Sequence, residues 1–277
     1  MRLAELIRAA IRYNGVVTAY VYGPFGYGKT SYALWTAYEV LGSWSNVLKH
    51  LFFHPKEVID AIGKAIESGR RLPIIIMDDA GLWLDRLTWW EPDKVAFMEF
   101  FNLIRSVAAG VIFTTPTEEL PKQIVKKAFI RVSVTPVSEE RARALLGNDG
   151  LSTVLDVIRR FKLSKLLSLA TGYKLRTLPS FMDIVRKEFY DIYPLHYPIH
   201  KEYEDKRRRA LRTYFRQWKA KVEASKFRSK DDLIALAKEL INSGKPKVEV
   251  AKELMKLGVP RSTAYYWIKR LTNKLSE

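Results

Sequence analysis

Short apolar strands alternate with helices through the first 137 residues, a glycine-rich turn joins the first strand to its helix, and three short helices close the chain. Together these predict an α/β protein: a parallel sheet with helices on both faces, then a helical region and a small all-α domain. Of the 277 residues, 48% are hydrophobic, enough to fill a core, which excludes a wholly disordered chain. Cysteine is absent, which excludes disulfides, thiolate zinc sites and thiol nucleophiles. His50, His54, His196 and His200 are too scattered for a metal cluster. No run approaches the roughly 18 apolar residues of a membrane span, and the opening MRLAELIRAAIRYNG is charged and helix-periodic, a poor signal peptide. A soluble, intracellular protein with no membrane partner is expected.

The first strand is read at residues 16–22, VVTAYVY, which are β-branched and aromatic. Gly23-Pro24-Phe25-Gly26-Tyr27-Gly28-Lys29-Thr30 follows, a full G-x-x-x-x-G-K-T phosphate loop, and the helix begins at Ser31. Glycines let backbone N–H groups turn inward onto phosphate oxygens, and the helix N-terminus adds attraction for the anion. In such a loop Lys29 reaches the β- and γ-phosphates while the Thr30 hydroxyl holds Mg²⁺. The expected cofactors are therefore ATP and Mg²⁺, bound by residues 23–31, and the fold class is a P-loop NTPase sheet.

A second strand is expected at residues 47–53, then a helix opened by Pro55 and stopped by Gly69. The apolar run 73–77 ends in Asp78-Asp79, the pattern called Walker B. An acid at the end of that strand can hold the Mg²⁺ water shell beside Thr30, and its neighbour can take a proton from the attacking water. Asp78 is thus the expected metal residue with Thr30, and Lys29, Asp78, Asp79 and Thr114 are the candidate catalytic set. Thr114 enters because the strand 111–113 closes on Thr114-Thr115, where a hydroxyl lies near the γ-phosphate if that strand neighbours the first. A helix is read between these strands from Pro92 to Val107, and a fifth strand at 129–134. The ligand crevice should open at the carboxyl ends of the strands, where all these residues fall.

The order of these pieces resembles the AAA+ division of P-loop ATPases. The strings Phe52-Phe53-His54-Pro55 and Asp78-Asp79-Ala80-Gly81-Leu82-Trp83-Leu84 resemble a narrower group, the ATPases of viruses and plasmids of thermophilic archaea, which are often compared with the replication initiator DnaA. The resemblance implies a sheet in which the Thr114 strand separates the two Walker strands. It also implies a helical lid beginning at Ser138. Two departures stand out: Asp79 replaces the usual glutamate, and only Lys122, Lys126 and Lys127 occupy the interval where an arginine finger is expected. Arg159, Arg160 and Arg176 are candidate nucleotide sensors.

Charge is concentrated at the other end of the chain. Residues 201–230 hold 12 Lys/Arg against 4 Asp/Glu, and residues 231–277 hold 9 against 6, so 11 of the 17 net positive charges lie in the last 77 residues. A concentrated basic surface implies a polyanionic partner. Within residues 231–277, three helical faces separated by Gly244 and Gly258 read as a helix-turn-helix, with Ala264, Trp267, Ile268 and Leu271 inward on the last helix. The string 250–267 resembles that DNA-binding family, whose last helix enters the major groove. Its outward residues Arg261, Ser262, Thr263, Tyr265, Tyr266, Lys269 and Arg270 are the candidate base and phosphate contacts. Arg207, Arg208 and Arg209 are candidate phosphate contacts on the basic approach segment.

Four parts are therefore expected: a 1–137 ATPase core, a 138–200 helical lid-like region, a 201–230 basic helical connector, and a 231–277 helix-turn-helix domain. The resemblance implies an ATP-dependent DNA-binding protein, a replication initiator or helicase loader of a mobile element. It would act in the host cytoplasm as a homo-oligomer on double-stranded DNA. An ATP-switched transcription regulator and a DNA packaging or partition motor are the alternatives.

Overall fold

A computed structural model of the chain describes residues 1–83, 92–116, 128–177, 183–225 and 230–274. The chain divides into two compact units, Met1–Asp205 and Lys206–Glu277.

The first unit opens with helix α1 (Arg2–Arg12), which buries Leu3, Ala4, Ile7 and Ala10 on one face. Strand β1 (Val17–Tyr22) leads through the glycine loop into α2 (Lys29–Leu41), which ends on Gly42 at φ 72°. Then come α3 (Trp44–Lys49), β2 (Leu51–Phe52), α4 (Pro55–Glu67), β3 (Ile75–Met77) and α5 (Ala80–Trp83). Helices α6 (Pro92–Asn102) and α7 (Ile104–Val107) precede β4 (Gly110–Thr115) and β5 (Ile130–Val137). Helix α8 (Glu139–Arg160), interrupted at Gly147 (φ 72°), is followed by β6 (Leu167–Thr177), β7 (Asp183–Pro194) and the start of α9 (His200–Ser225), most of which belongs to the second unit.

The seven strands form one sheet in the order β2-β3-β4-β1-β5-β6-β7. The β2–β3, β3–β4, β4–β1 and β1–β5 pairs are parallel, whereas β5–β6 and β6–β7 are antiparallel. With helices on both faces, this is a P-loop NTPase-like α/β fold. The Thr114 strand, β4, separates the two Walker strands β1 and β3. Met77 pairs with Phe113 and Tyr22 with Thr115, so Asp78, Thr114 and the loop at Gly23 emerge together at the carboxyl end of the sheet.

Several local expectations change. Residues 47–49 belong to helix α3 rather than to the second strand, which shrinks to Leu51–Phe52. The helix read as continuous from Pro92 to Val107 is broken at Leu103 (φ −98°, ψ 8°). Strand β5 runs on through Pro136; β1 stops pairing at Ser133, so the proline falls where β5 has a partner on one side only. The largest correction lies between residues 161 and 194. Instead of an all-helical lid, α8 is followed by a long antiparallel hairpin, β6–β7, that extends the sheet past β5. Gly172 makes this pairing possible: a Cβ there would stand 2.2 Å from the Phe189 ring across the hairpin.

The second unit contains α10 (Lys230–Asn242), α11 (Lys247–Lys256) and α12 (Arg261–Lys274). Ala237, Val250, Ala251, Leu254, Val259, Ala264, Trp267 and Ile268 form their common core, flanked by Leu233, Ile241 and Leu271. Of the inward residues expected from helical spacing, Ala251, Leu254, Ala264, Trp267 and Ile268 are buried, whereas Val248 and Met255, also expected inward on α11, are exposed.

Candidate functional site

The loop between β1 and α2 owes its shape to glycine. Gly23, Gly26 and Gly28 have φ of 146°, 79° and 95°, values that side-chain-bearing residues adopt at a cost. A Cβ on Gly23 would also lie 2.8 Å from the Val134 carbonyl. Lys29 is buried, and its Nζ donates to the Gly23 and Pro24 carbonyls, each at 2.8 Å. That holds the ammonium within the loop, 5.4 Å from the centre of the Phe25 ring. Burial pushes the Lys29 pKa down, while the charges of Asp79 and Asp78 pull it up.

Asp78 is completely buried and is the hub of the site. Thr30 Oγ1 donates to it at 3.0 and 3.3 Å, Thr114 Oγ1 donates to its Oδ1, and Tyr203 Oη donates to its Oδ2 at 2.7 Å. Burial raises the Asp78 pKa, the neighbouring Asp79 raises it further, and the Thr114, Tyr203 and Thr30 hydroxyls oppose both by stabilising the carboxylate. Asp79 occupies the left-handed region at φ 51°, and its N–H donates to Thr114 Oγ1 at 3.1 Å. The Thr114 hydroxyl thus donates to the Asp78 carboxylate and accepts from the Asp79 main chain.

The donor set, Thr30 Oγ1 with the Asp78 carboxylate, is all oxygen and fits Mg²⁺, which keeps several waters and is commonly held by one or two carboxylates plus phosphates. Among the described residues no group of three or more His, Asp or Glu side chains is placed to hold a metal ion.

Support for the loop comes from the hairpin. Ser168 Oγ on β6 donates to the Tyr27 carbonyl at 3.1 Å, and Tyr193 Oη on β7 donates to the Gly28 carbonyl at 3.0 Å. At the end of β7, the Leu195 carbonyl accepts from Ser31 Oγ at 2.5 Å, and the Pro194 and His196 carbonyls accept from Trp35 Nε1 at 3.1 Å. Asp191 accepts from Tyr32 Oη at 2.8 Å and from the Arg2 backbone N–H at 2.7 Å, linking α2, β7 and the start of α1.

Sequence reasoning missed Ser168, Asp191, Tyr193 and Tyr203. Alternation of Leu167, Leu169, Thr171 and Tyr173 with small or polar residues could have revealed β6. Nothing local marks Tyr203, 125 positions from its partner. His54, in one of the strings carrying the resemblance, caps α4: its Nδ1 accepts from the Lys56 N–H at 3.1 Å, and Glu57 completes the capping box. Lys122, Lys126 and Lys127 lie outside the described residues, as does the Arg176 side chain. Arg105 Nε donates to the Asn14 carbonyl, beyond the amino end of β1 and away from the loop. Arg159 pairs with Asp156, and Arg160 lies over Phe161.

In the second unit, Arg261, Ser262, Tyr265, Tyr266, Lys269 and Arg270 are exposed on α12 and Thr263 is half-buried. Arg261 lies over the Tyr265 ring at 5.9 Å. On α9, Arg208 and Arg209 are exposed and Arg207 half-buried.

Fold and loop together define a P-loop NTPase-like protein. No protein-family model matches the chain. It is 40% identical over 123 residues to the uncharacterized protein B-251 of Sulfolobus spindle-shape virus 1, a match covering 42% of this chain and 49% of that protein. It is 30% identical over 175 residues to the uncharacterized protein ORF286 of Acidianus two-tailed virus, covering 58% of each. The chain thus spans about half the length of these curated relatives. Among solved structures, the genome packaging NTPase B204 of Sulfolobus turreted icosahedral virus 2, in complex with AMPPCP, aligns with 64% of this chain and 99% of its own, at 12% identity and a TM-score of 0.31. No described helix is long and apolar enough to cross a membrane.

Proposed function

We propose that this chain is an Mg²⁺-dependent ATPase that acts on double-stranded DNA. The observation that carries this reading is the buried Asp78 carboxylate, on which Thr30 and Thr114 converge beside Lys29 in a glycine-shaped loop. Residues 23–31 hold the phosphates: the loop N–H groups and α2 N-terminus attract the anion, and Lys29 leaves its two carbonyls to meet it. The Thr30 hydroxyl and the Asp78 carboxylate would hold Mg²⁺, which would supply neutralisation of phosphate charge. Asp79 accepts the proton of the attacking water.

The finer reading is an AAA+-type replication initiator or helicase loader of a mobile element, assembled as a homo-oligomer, with α12 reading the DNA site through Arg261, Ser262, Thr263, Tyr265, Tyr266, Lys269 and Arg270. Its support is the outward polar face of α12 over a well-packed three-helix core, together with the sequence relatives in two viruses. Footprinting on the element's own DNA, with ATP and Mg²⁺ and without, tests it. Protection of a short site with ATP-dependent melting beside it is the expected result. Protection without melting means an ATP-switched transcription regulator, and ATP-driven movement along arbitrary DNA means a packaging or partition motor.

A further inference from the structure

Helix α9 carries exposed aromatic rings that duplex recognition does not use. From residue 206 to residue 222 it holds eight Lys/Arg and no Asp or Glu. Into this run are set Phe215 and Trp218, which are 58% and 48% exposed. Their rings stack on one another, with centroids 5.8 Å apart and planes 29° apart. Arg208, Leu211, Arg212 and Phe215 follow one another at the spacing that places side chains on one helix face, and with Arg216 they line a shallow groove. Trp218 continues the same side one turn further, so the strip from Arg208 to Trp218 is about 15 Å long at 1.5 Å per residue.

We propose that this strip of α9 binds an unpaired nucleic-acid strand, with bases stacked on Phe215 and Trp218 and phosphates held by Arg208, Arg212 and Arg216. A basic groove with exposed aromatic rings is the combination that single strands select, because every unpaired base offers a flat face while its backbone offers negative charge. A duplex keeps its bases stacked inside, so exposed rings add nothing to phosphate contacts there. A lipid surface fits less well, since Arg208 and Arg212 share the face of Phe215 and leave no clean apolar stripe. An acidic protein partner would account for the arginines but has no need of a stacked aromatic pair in the open. The proposal rests on the nucleic-acid reading above but uses a different strand form and a different helix.

The test measures binding of the full chain to oligothymidylate and oligouridylate of about 20 nucleotides, to a random duplex of similar length, and to phosphatidylserine vesicles. The variants are Phe215→Ala/Trp218→Ala and the stacking-competent Phe215→Tyr/Trp218→Phe. Both rings are surface-exposed, so the folds should survive, which circular dichroism checks. The expected result is single-strand affinity reduced about tenfold or more in the alanine pair, restored in the aromatic pair, and duplex affinity changed less than about threefold. Preference for the DNA or the RNA oligomer identifies the strand in use. Unchanged single-strand affinity in the alanine pair overturns the proposal, and so does an equal loss on single strand and duplex. Vesicle binding that depends on Phe215 and Trp218, with no strand binding, overturns it in favour of a membrane surface. If the parent binds a specific duplex but no single strand, this proposal fails while the duplex reading stands; single-strand binding without site-specific duplex binding has the opposite meaning.

Discussion

Tyr203→Phe isolates one hydrogen bond at the centre of the site. The substitution removes only Oη, which donates to Asp78 Oδ2 at 2.7 Å, and it keeps the ring against Phe53 and Tyr197, at 6.1 and 5.7 Å. Both partners are buried, and a hydrogen bond to a charged group contributes about 1.5–3 kcal/mol. In a unit of this size each kcal/mol moves the midpoint by about 2–4 °C, so the unfolding midpoint of the first unit should fall by about 3–12 °C at pH 8. The loss should depend on pH. Burial and Asp79 raise the Asp78 pKa, whereas the Tyr203 hydroxyl lowers it. Protonation of Asp78 therefore contributes stability that is present at low pH and lost as pH rises through the raised pKa. The Tyr203 bond opposes that loss by favouring the ionised form. As pH falls through the raised pKa, the bond becomes one between neutral groups, worth about 0.5–1.5 kcal/mol, and parent and variant should converge. Calorimetry from pH 8 downward, on parent and variant, gives both quantities. Equal midpoints at pH 8, or a gap that widens toward low pH, would refute the assignment of Tyr203 as a donor to ionised Asp78.

Lys29→Ala should fold normally but lose tight ATP binding, because it removes the ammonium that the loop carbonyls hold; equilibrium titration with a fluorescent ATP analogue checks this. Asp79→Asn should retain ATP binding while single-turnover hydrolysis falls about 10²-fold or more, since an amide cannot accept the proton. Asparagine tolerates the left-handed backbone at φ 51° as aspartate does, so the fold is not disturbed. Gly172→Ala should destabilise the first unit by about 1–3 kcal/mol through overpacking against Phe189. Phe189→Leu in the same chain should recover part of that loss in denaturant unfolding.

The parallel half of the sheet and the last helix were legible because each carries a local signal. The loop needs glycines at fixed spacing, the Walker B strand is an apolar run ending in acids, and α12 repeats its buried residues at helical period, as Ala264, Trp267 and Ile268 do. The hairpin carries a weaker signal, since β7 reads Asp183-Ile-Val-Arg-Lys-Glu-Phe-Tyr-Asp-Ile-Tyr-Pro194 with charges and aromatics on both faces. Its pairing depends on Gly172 meeting Phe189 across strands, a contact that sequence spacing cannot express. The same non-local pairing shapes the phosphate loop. Ser168 and Tyr193 bond the carbonyls of Tyr27 and Gly28, where the loop turns into α2. A Cβ on Gly28 would come within 3.0 Å of Ser168 Oγ and of Leu195 Cδ1. Gly28 is therefore required twice, by its left-handed backbone and by the hairpin side chains packed against it. The motif discloses only the first requirement. The second makes β6–β7 part of the loop's construction rather than a lid over it, so a lesion in the hairpin should reach the glycine loop through two main-chain carbonyls without touching a motif residue.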